Sequence, residues 1–220
     1  MKLSLILAQA RSSELSSLSP LDKTDEKVIT YINQGLIDLY DEFTILTEEA
    51  IVHLRPDLAK TVYTLSSTDT DVTVAGQPFT DGDAMAIMFA YDEKGKPIAL
   101  NDEEDPFSVF TLSPTQVQIP LLDDKTYVSL IYKRVPQLVT YVDSGDGSAV
   151  DTEVVLPLQM LKPLIHFIGY RAHGAVDGSV NEENSTHYAK YVAAIQTLKL
   201  RGGFSPEGTK HGAFYDRGYV

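Results

Sequence analysis

The fold of this chain is decided by the stretch LPLQMLKPLIHFIGYRAHGAVDGSVNEENSTHYAKYVAAIQTLKLRGG, residues 156–203. Its apolar residues recur at spacings of three and four, which predicts two helices joined by an acidic, glycine-containing turn. The first helix begins near Pro157 or restarts at Pro163, because a proline beyond the first turn forces a kink. Ser179 and Glu182 form a capping box for the second helix. It ends at the glycine pair that closes the stretch.

Two further helices are predicted at the start of the chain. The first carries one apolar face, made of Leu3, Ile6, Leu7 and Ala10. The same residues resemble a short signal peptide with an Ala8-Gln9-Ala10 cleavage site, but the apolar run is shorter than such peptides need. No run in the sequence approaches the roughly 20 apolar residues of a membrane span.

The second N-terminal helix starts after Asp22 or Thr24 and carries a longer apolar stripe. The stripe consists of Val28, Ile32, Leu36, Leu39 and Phe43, widened by Ile29, Ile37 and Tyr40. Gly35 lies within this helix, where glycine costs about 1 kcal/mol relative to alanine. Its presence predicts a close contact or a functional bend at that position.

Residues 44–155 change from helical to strand periodicity. Short β-prone runs alternate with turn signals in this segment, which favours a small antiparallel sandwich or barrel. The runs are 51–54, 61–65, 86–91, 107–112, 117–119 and 127–132.

The order of elements predicts an α+β fold. Helices at both ends need each other to bury their apolar faces, so the expected architecture is one helical bundle with an inserted antiparallel β module. The expected parts are N-terminal bundle helices in 1–43, the β-rich module in 44–155, C-terminal bundle helices in 156–203 and an extended tail in 204–220.

The amino-acid composition argues against several classes of function. The chain has 31 acidic and 18 basic residues and a formal net charge of -13, so it lacks the basic excess that binds nucleic-acid phosphates. It contains no cysteine, which excludes disulfides, thiolate zinc sites and cysteine nucleophiles.

Three sets of polar residues are candidates for chemistry. Asp143-Ser144-Gly145 matches the aspartic-protease motif, which needs a second carboxylate. Calcium is considered at the acidic groups Asp69/Asp71, Asp81/Asp83 and 102–105, none of which fits a twelve-residue calcium loop. The histidines lack zinc-motif spacing, although two of them lie seven residues apart on one face of the third helix; they are His53, His166, His173, His187 and His211. We therefore predict no enzyme activity, no metal and no cofactor.

The tail offers a candidate partner interface. It is rich in glycine and aromatic residues, and exposed aromatic and arginine side chains are typical interface anchors. The predicted contact residues are Phe204, Phe214, Tyr215, Arg217 and Tyr219.

Five segments together resemble the head-to-tail adaptors of short-tailed bacteriophages, also called connector or tail tubular A-like proteins. They are YINQGLIDLYDEF (31–43), AMAIMFAYDEKGKPIALND (84–102), YVSLIYKRVPQLVTY (127–141), DTEVVLPLQMLKPLIHFIGYRAHG (151–174) and NSTHYAKYVAAIQTL (184–198). The likeness lies in element order and residue type rather than in an invariant motif.

The resemblance implies a structural role in the virion neck. Such adaptors form rings, usually twelvefold, that bind the portal protein above and the next tail protein below and continue the DNA channel. It also implies synthesis in the host cytoplasm, no membrane partner, no catalytic residue and a tail that docks on the portal. The alternatives are another head- or tail-completion protein, or a ligand-binding β module without catalysis.

Overall fold

The computed structural model describes residues 1–120, 125–144, 149–177 and 186–201. These residues form a mixed α+β fold with four α-helices and two antiparallel sheets. The helices are α1 (Leu3–Ser12), α2 (Asp25–Glu42), α3 (Leu161–Asp177) and α4 (Thr186–Leu200). In the part of the chain described, no helix combines the length and apolarity that crossing a membrane requires.

The strands form a six-stranded and a three-stranded sheet. The larger sheet has the order β4-β3-β1-β9-β5-β6, and the smaller one has the order β2-β8-β7. The strands are β1 (Thr47–His53), β2 (Val62–Thr64), β3 (Val72–Val74), β4 (Gln77–Pro78), β5 (Ala84–Asp92), β6 (Pro97–Ile98), β7 (Phe110–Ser113), β8 (Gln116–Gln118) and β9 (Tyr127–Arg134).

The chain divides into two compact units. The described residues of Met1–Ile45 and Pro136–Val220 form a helical unit, and Leu46–Val135 forms a β unit. Each unit has its own buried apolar cluster.

Residues 136–155, which the sequence predicts to be part of the β-rich module, belong to the helical unit. They contain no regular strand among the positions described; their pairing is limited to isolated bridges. Backbone hydrogen bonds attach them to the start of the chain, from Leu3 N to Thr152 O at 2.9 Å and from Val154 N to Met1 O at 2.6 Å. This segment therefore pairs with the N-terminus instead of joining a sheet.

The two N-terminal helices bury the faces that their spacing predicts. All four apolar residues of the first face are in the core, and so is the five-residue stripe of the second helix. Ile37 is the exception, since its side chain is half exposed on the opposite side of α2. The stripe is narrower than the sequence suggests.

Gly35 lies at a point where α2 packs tightly against α3. A Cβ atom built at this position would lie 2.6 Å from Leu164 Cδ1 and 2.9 Å from Phe167 Cδ1, well inside van der Waals contact. Both neighbouring side chains are buried. The contact predicted from this glycine is thus present, and it is made with the C-terminal half of the chain.

The structure revises the predicted start of the first helix in the C-terminal pair. A 3-10 turn over Leu158–Met160 precedes α3, which begins at Leu161. Pro163 therefore lies in the first turn, where backbone N–H groups have no intrahelical partner, and no kink is required. The predicted capping residues of α4, Ser179 and Glu182, lie outside the described residues, and α4 is described from Thr186.

The β unit surrounds a core contributed by both sheets. Tyr63 and Val117 of the smaller sheet share this core with Val52, Val128 and Leu130 of the larger one. Each predicted β-prone run overlaps a strand, whereas the short strands β3, β4 and β6 were not predicted. Strands of two or three residues are too short to show an alternating pattern.

We predict that Gly35→Ala destabilises the helical unit by about 1 kcal/mol. Alanine favours a helix by about 1 kcal/mol, but overpacking a filled core costs about 1–3 kcal/mol. Urea denaturation followed by circular dichroism measures the difference.

Leu164→Ala supplies the control, because it removes the nearer of the two side chains that the new methyl group would strike. In that background Gly35→Ala is expected to cost less stability, because only the contact with Phe167 remains. An equal loss of stability in both backgrounds would show that the close approach is not the cause.

Candidate functional site

The candidate interface residues of the tail lie outside the part of the chain that the structure describes. They are Phe204, Phe214, Tyr215, Arg217 and Tyr219, and the same is true of His211.

Asp143 has an exposed side chain in a bridge with Ala149, and the glycine of its motif is also outside the described residues. This placement gives the carboxyl group none of the enclosure that a shared-proton pair needs.

The acidic groups considered for calcium are engaged in local hydrogen bonds and ion pairs. Lys60 Nζ contacts Asp69 at 2.7 Å and Asp71 at 2.8 Å. Asp81 accepts hydrogen bonds from the backbone and hydroxyl of Ser67, and Asp83 pairs with Arg134 at 2.8 Å. The contacts of these carboxylates stabilise loops of the β unit. Within the described residues, no three acidic or histidine side chains are arranged to hold a metal ion.

A cluster of polar side chains in the helical unit is centred on Glu14. Glu14 follows α1, and its carboxylate faces α3 and α4 with the side chain 9% exposed. Its Oε1 lies 3.0 Å from His166 Nδ1 and its Oε2 lies 2.5 Å from His187 Nδ1. Lys190 Nζ adds an ion pair at 3.4 Å. An ionised carboxylate only accepts hydrogen bonds, so both imidazole nitrogens donate to it.

His173 completes this Glu14 cluster from a second direction. Its Nε2 lies 2.8 Å from the backbone oxygen of Glu14, and since a carbonyl oxygen only accepts, His173 Nε2 carries the proton. The ring stacks on His187, with centroids 4.4 Å apart and planes 7° apart. Glu14 is thereby attached to both C-terminal helices, through its backbone oxygen and through its side chain.

The surroundings of Glu14 favour its ionised form. Burial alone raises the pKa of the Glu14 carboxyl group, but the hydrogen bond from His187, the charge of Lys190 and the hydrogen bond from His166 outweigh burial. The net result is a pKa below its ordinary value. Glu14 is therefore a carboxylate that the fold both buries and keeps charged.

Gly169 makes room for this carboxylate. A Cβ atom at position 169 would lie 2.8 Å from Glu14 Cβ and 3.2 Å from His187 Nδ1. The sequence predicts that His166 and His173 share a face, and both do contact Glu14. Their partner was missed because it is 152 residues away from His166 and has no local spacing signal.

A groove on the helical unit lies between α2, α3 and α4. Its cavity has a volume of about 470 Å³ and is bordered by aromatic rings and by charges of both signs. The rings of Phe167 and Tyr191 contact each other edge to face, with centroids 5.3 Å apart. The Tyr191 hydroxyl donates a hydrogen bond to the Asp38 carboxylate. Burial is the larger cause that raises the pKa of Tyr191, and the hydrogen bond with this carboxylate raises it further.

The two ends of this groove differ in charge pairing. At one end, Lys199 pairs with Glu42. At the other, Arg171 donates from Nε to Gln34 Oε1 at 3.0 Å. Among the described residues, no carboxylate lies within ion-pairing distance of Arg171. The groove therefore presents aromatic walls with a guanidinium group available for an anion.

A second cavity lies in the β unit. It has a volume of about 390 Å³ and is lined by Asp92, Lys96, Ile98, Asp105, Phe107 and Lys125, among others. Asp92 is buried, accepts hydrogen bonds from the backbone of Lys94 and Lys96, and pairs with Lys125 at 3.1 Å. These contacts, led by the Lys96 hydrogen bond, lower the pKa of Asp92.

Comparison with known proteins adds no relative: no protein-family model matches the sequence, and no curated protein matches it.

We predict that Glu14→Gln destabilises the helical unit at neutral pH and has less effect in acid. The folded pKa of Glu14 is lower than its unfolded value near 4.5, so the charged form stabilises the fold above that value. This stabilisation is lost as the pH falls through the folded pKa. Urea denaturation of wild type and variant at pH 7 and pH 4 measures the difference.

The exposed Glu26→Gln on α2 is the control, since its change in stability is expected to vary less with pH. If Glu14→Gln costs the same free energy of unfolding at both pH values, the charge of Glu14 does not stabilise the fold.

Proposed function

We propose that the chain is a structural adaptor of the phage head-to-tail type. In this proposal it forms a homo-oligomeric ring of twelve copies, the usual number in the adaptors that it resembles. The ring binds the portal on one side and the next tail protein on the other, without catalysis. The helices of both chain ends form the bundle, and residues 46–135 are its inserted β module.

One observation carries this proposal: an extended segment of the helical unit exposes apolar side chains repeatedly. Leu158 is 71% exposed, and the same segment exposes Leu138, Val142, Val150 and Val155 to smaller degrees. Single exposed apolar residues are ordinary, but a concentrated series indicates an interaction surface. Rings close through two different faces of each subunit, and this segment is suited to be one of them.

The charge of the chain supports the channel role. A formal net charge of -13 repels DNA phosphates, so DNA gains no counterion-release energy from contact with such a wall. A conduit through which DNA slides needs this property.

The β-unit cavity supports one alternative function, a ligand-binding module. Its volume is in the range of small-molecule sites, and its lining includes the exposed ring of Phe107. A head- or tail-completion protein remains the other alternative, and it shares the assembly surface with the adaptor.

Mass photometry of the purified chain tests the adaptor proposal. We expect particles containing twelve copies of the 24.2 kDa chain, alone or after addition of portal particles. The double variant Leu138→Asp/Leu158→Asp is expected to remain monomeric, because it places charges in the exposed apolar segment.

Leu58→Asp is the matched control, since Leu58 is similarly exposed but belongs to the β unit. A wild-type chain that stays monomeric and does not bind portal particles would refute the adaptor proposal. If the double variant forms rings equally well, the 136–158 segment is not part of the interface between subunits.

Deletion of 204–220 tests the proposed portal contact of the tail. The shortened chain is expected to keep its circular dichroism spectrum and to lose attachment to portal particles in cosedimentation. Unchanged attachment would show that Phe204, Phe214, Tyr215, Arg217 and Tyr219 do not form the portal contact.

A further inference from the structure

We propose that the groove between α2, α3 and α4 binds a small aromatic carboxylic acid in its ionised form. The carboxylate of the ligand pairs with the Arg171 guanidinium group, and its aromatic ring packs against the apolar side chains of the groove. One chain supplies all of the residues that line this groove, so the proposed site depends neither on the adaptor proposal nor on a partner protein.

The Arg171 guanidinium group has unused donors in a fixed orientation. It carries five N–H donors in one plane, and among the residues described it uses only Nε, which donates to Gln34 Oε1 at 3.0 Å. Its central carbon also lies 5.9 Å from the centre of the Tyr170 ring. These two contacts hold the group in place before a ligand arrives. The remaining N–H groups match the two oxygens of a carboxylate, which accept parallel hydrogen bonds.

The acidic residues that line the groove are engaged elsewhere. Asp38 accepts a hydrogen bond from the Tyr191 hydroxyl, and Glu42 pairs with Lys199. Neither carboxylate lies within ion-pairing distance of Arg171 in the part of the chain that the structure describes, so the charge of Arg171 is left for a ligand. A carboxylate neutralises this single positive charge. The second negative charge of a phosphate ester would instead be repelled by Asp38 and Glu42.

The apolar side chains of the groove suit an aromatic ring. Four aromatic rings contact one another in a closed circuit, with neighbouring centroids 5.2 to 6.4 Å apart. They belong to Phe167, Tyr170, Tyr188 and Tyr191. Because these rings already hold one another in place, ligand binding loses little side-chain entropy. Val192 and Ile195 add aliphatic surface, and the cavity volume of about 470 Å³ is in the range of small-molecule sites.

A ligand-observed NMR titration with 3-phenylpropanoate tests the proposed site. We expect a Kd of about 1 mM, which is typical of the affinity that a ligand of this size reaches. The uncharged analogue 3-phenylpropan-1-ol is expected to bind about tenfold more weakly, because it cannot form the bidentate pair with Arg171. Phenyl phosphate is also expected to bind more weakly than the carboxylate, because its second charge is repelled by the acidic residues of the groove.

Arg171→Gln tests where the carboxylate binds. This variant is expected to bind 3-phenylpropanoate about tenfold more weakly and to keep its affinity for the alcohol, a loss of selectivity that a general loosening of the groove would not produce. Lys199→Gln is the matched control, because it removes a positive charge that already pairs with Glu42. Its affinity for 3-phenylpropanoate is expected to stay within about twofold of wild type.

Equal affinities of the wild-type chain for the carboxylate and the alcohol would overturn the proposal, and so would tighter binding of phenyl phosphate. Unchanged binding of 3-phenylpropanoate by Arg171→Gln would also overturn it. If 3-phenylpropanoate dissociates oligomers of the wild-type chain, a second copy occupies the groove and the proposal is wrong. The comparison of carboxylate and alcohol uses the wild-type chain, so it remains decisive if Arg171→Gln fails to fold.

Discussion

The close approach of α2 and α3 at Gly35 is the contact on which the helical unit depends. Helices are adjacent when their side chains leave room for one another, and here the space for a side chain at Gly35 is filled by Leu164 and Phe167. These residues come from opposite ends of the sequence. Their contact therefore joins the N-terminal and C-terminal segments into one core.

Glu14 joins the same segments by polar contacts. Its carboxylate and backbone oxygen engage three histidines, two on α3 and one on α4, next to the glycine that admits it. Apolar packing is tolerant of small rotations, whereas these hydrogen bonds fix direction.

Much of the fold follows from periodicity, because amphipathic helices and alternating strands leave a local signal. The faces of α1 and α2 are examples, and Gly35 is a case in which one residue predicts a contact. The boundary of the β unit was less predictable, because β-branched residues such as Val154 pair with the chain start rather than with a sheet. The sequence analysis predicted a kink at Pro163 because it allowed the helix to begin near Pro157. The 3-10 turn that precedes α3 has no periodicity that would show the later start.

The candidate sites were harder to predict than the fold. The histidines were visible in the sequence, but their arrangement around Glu14 results from tertiary packing over more than 150 residues. No sequence pattern indicates Arg171, because its guanidinium group is distinguished only by having no ion-pair partner within the described residues. Spacing rules detect sites built within one element, and both of these sites are built between elements.

Native-state hydrogen exchange tests most directly whether the two chain ends form one cooperative unit. We predict that the slowest amides of α1, α2 and α3 exchange through a common opening, with the same free energy and the same dependence on denaturant. A much lower opening free energy for α1 and α2 than for α3 would contradict it, because the two ends of the chain would then unfold separately.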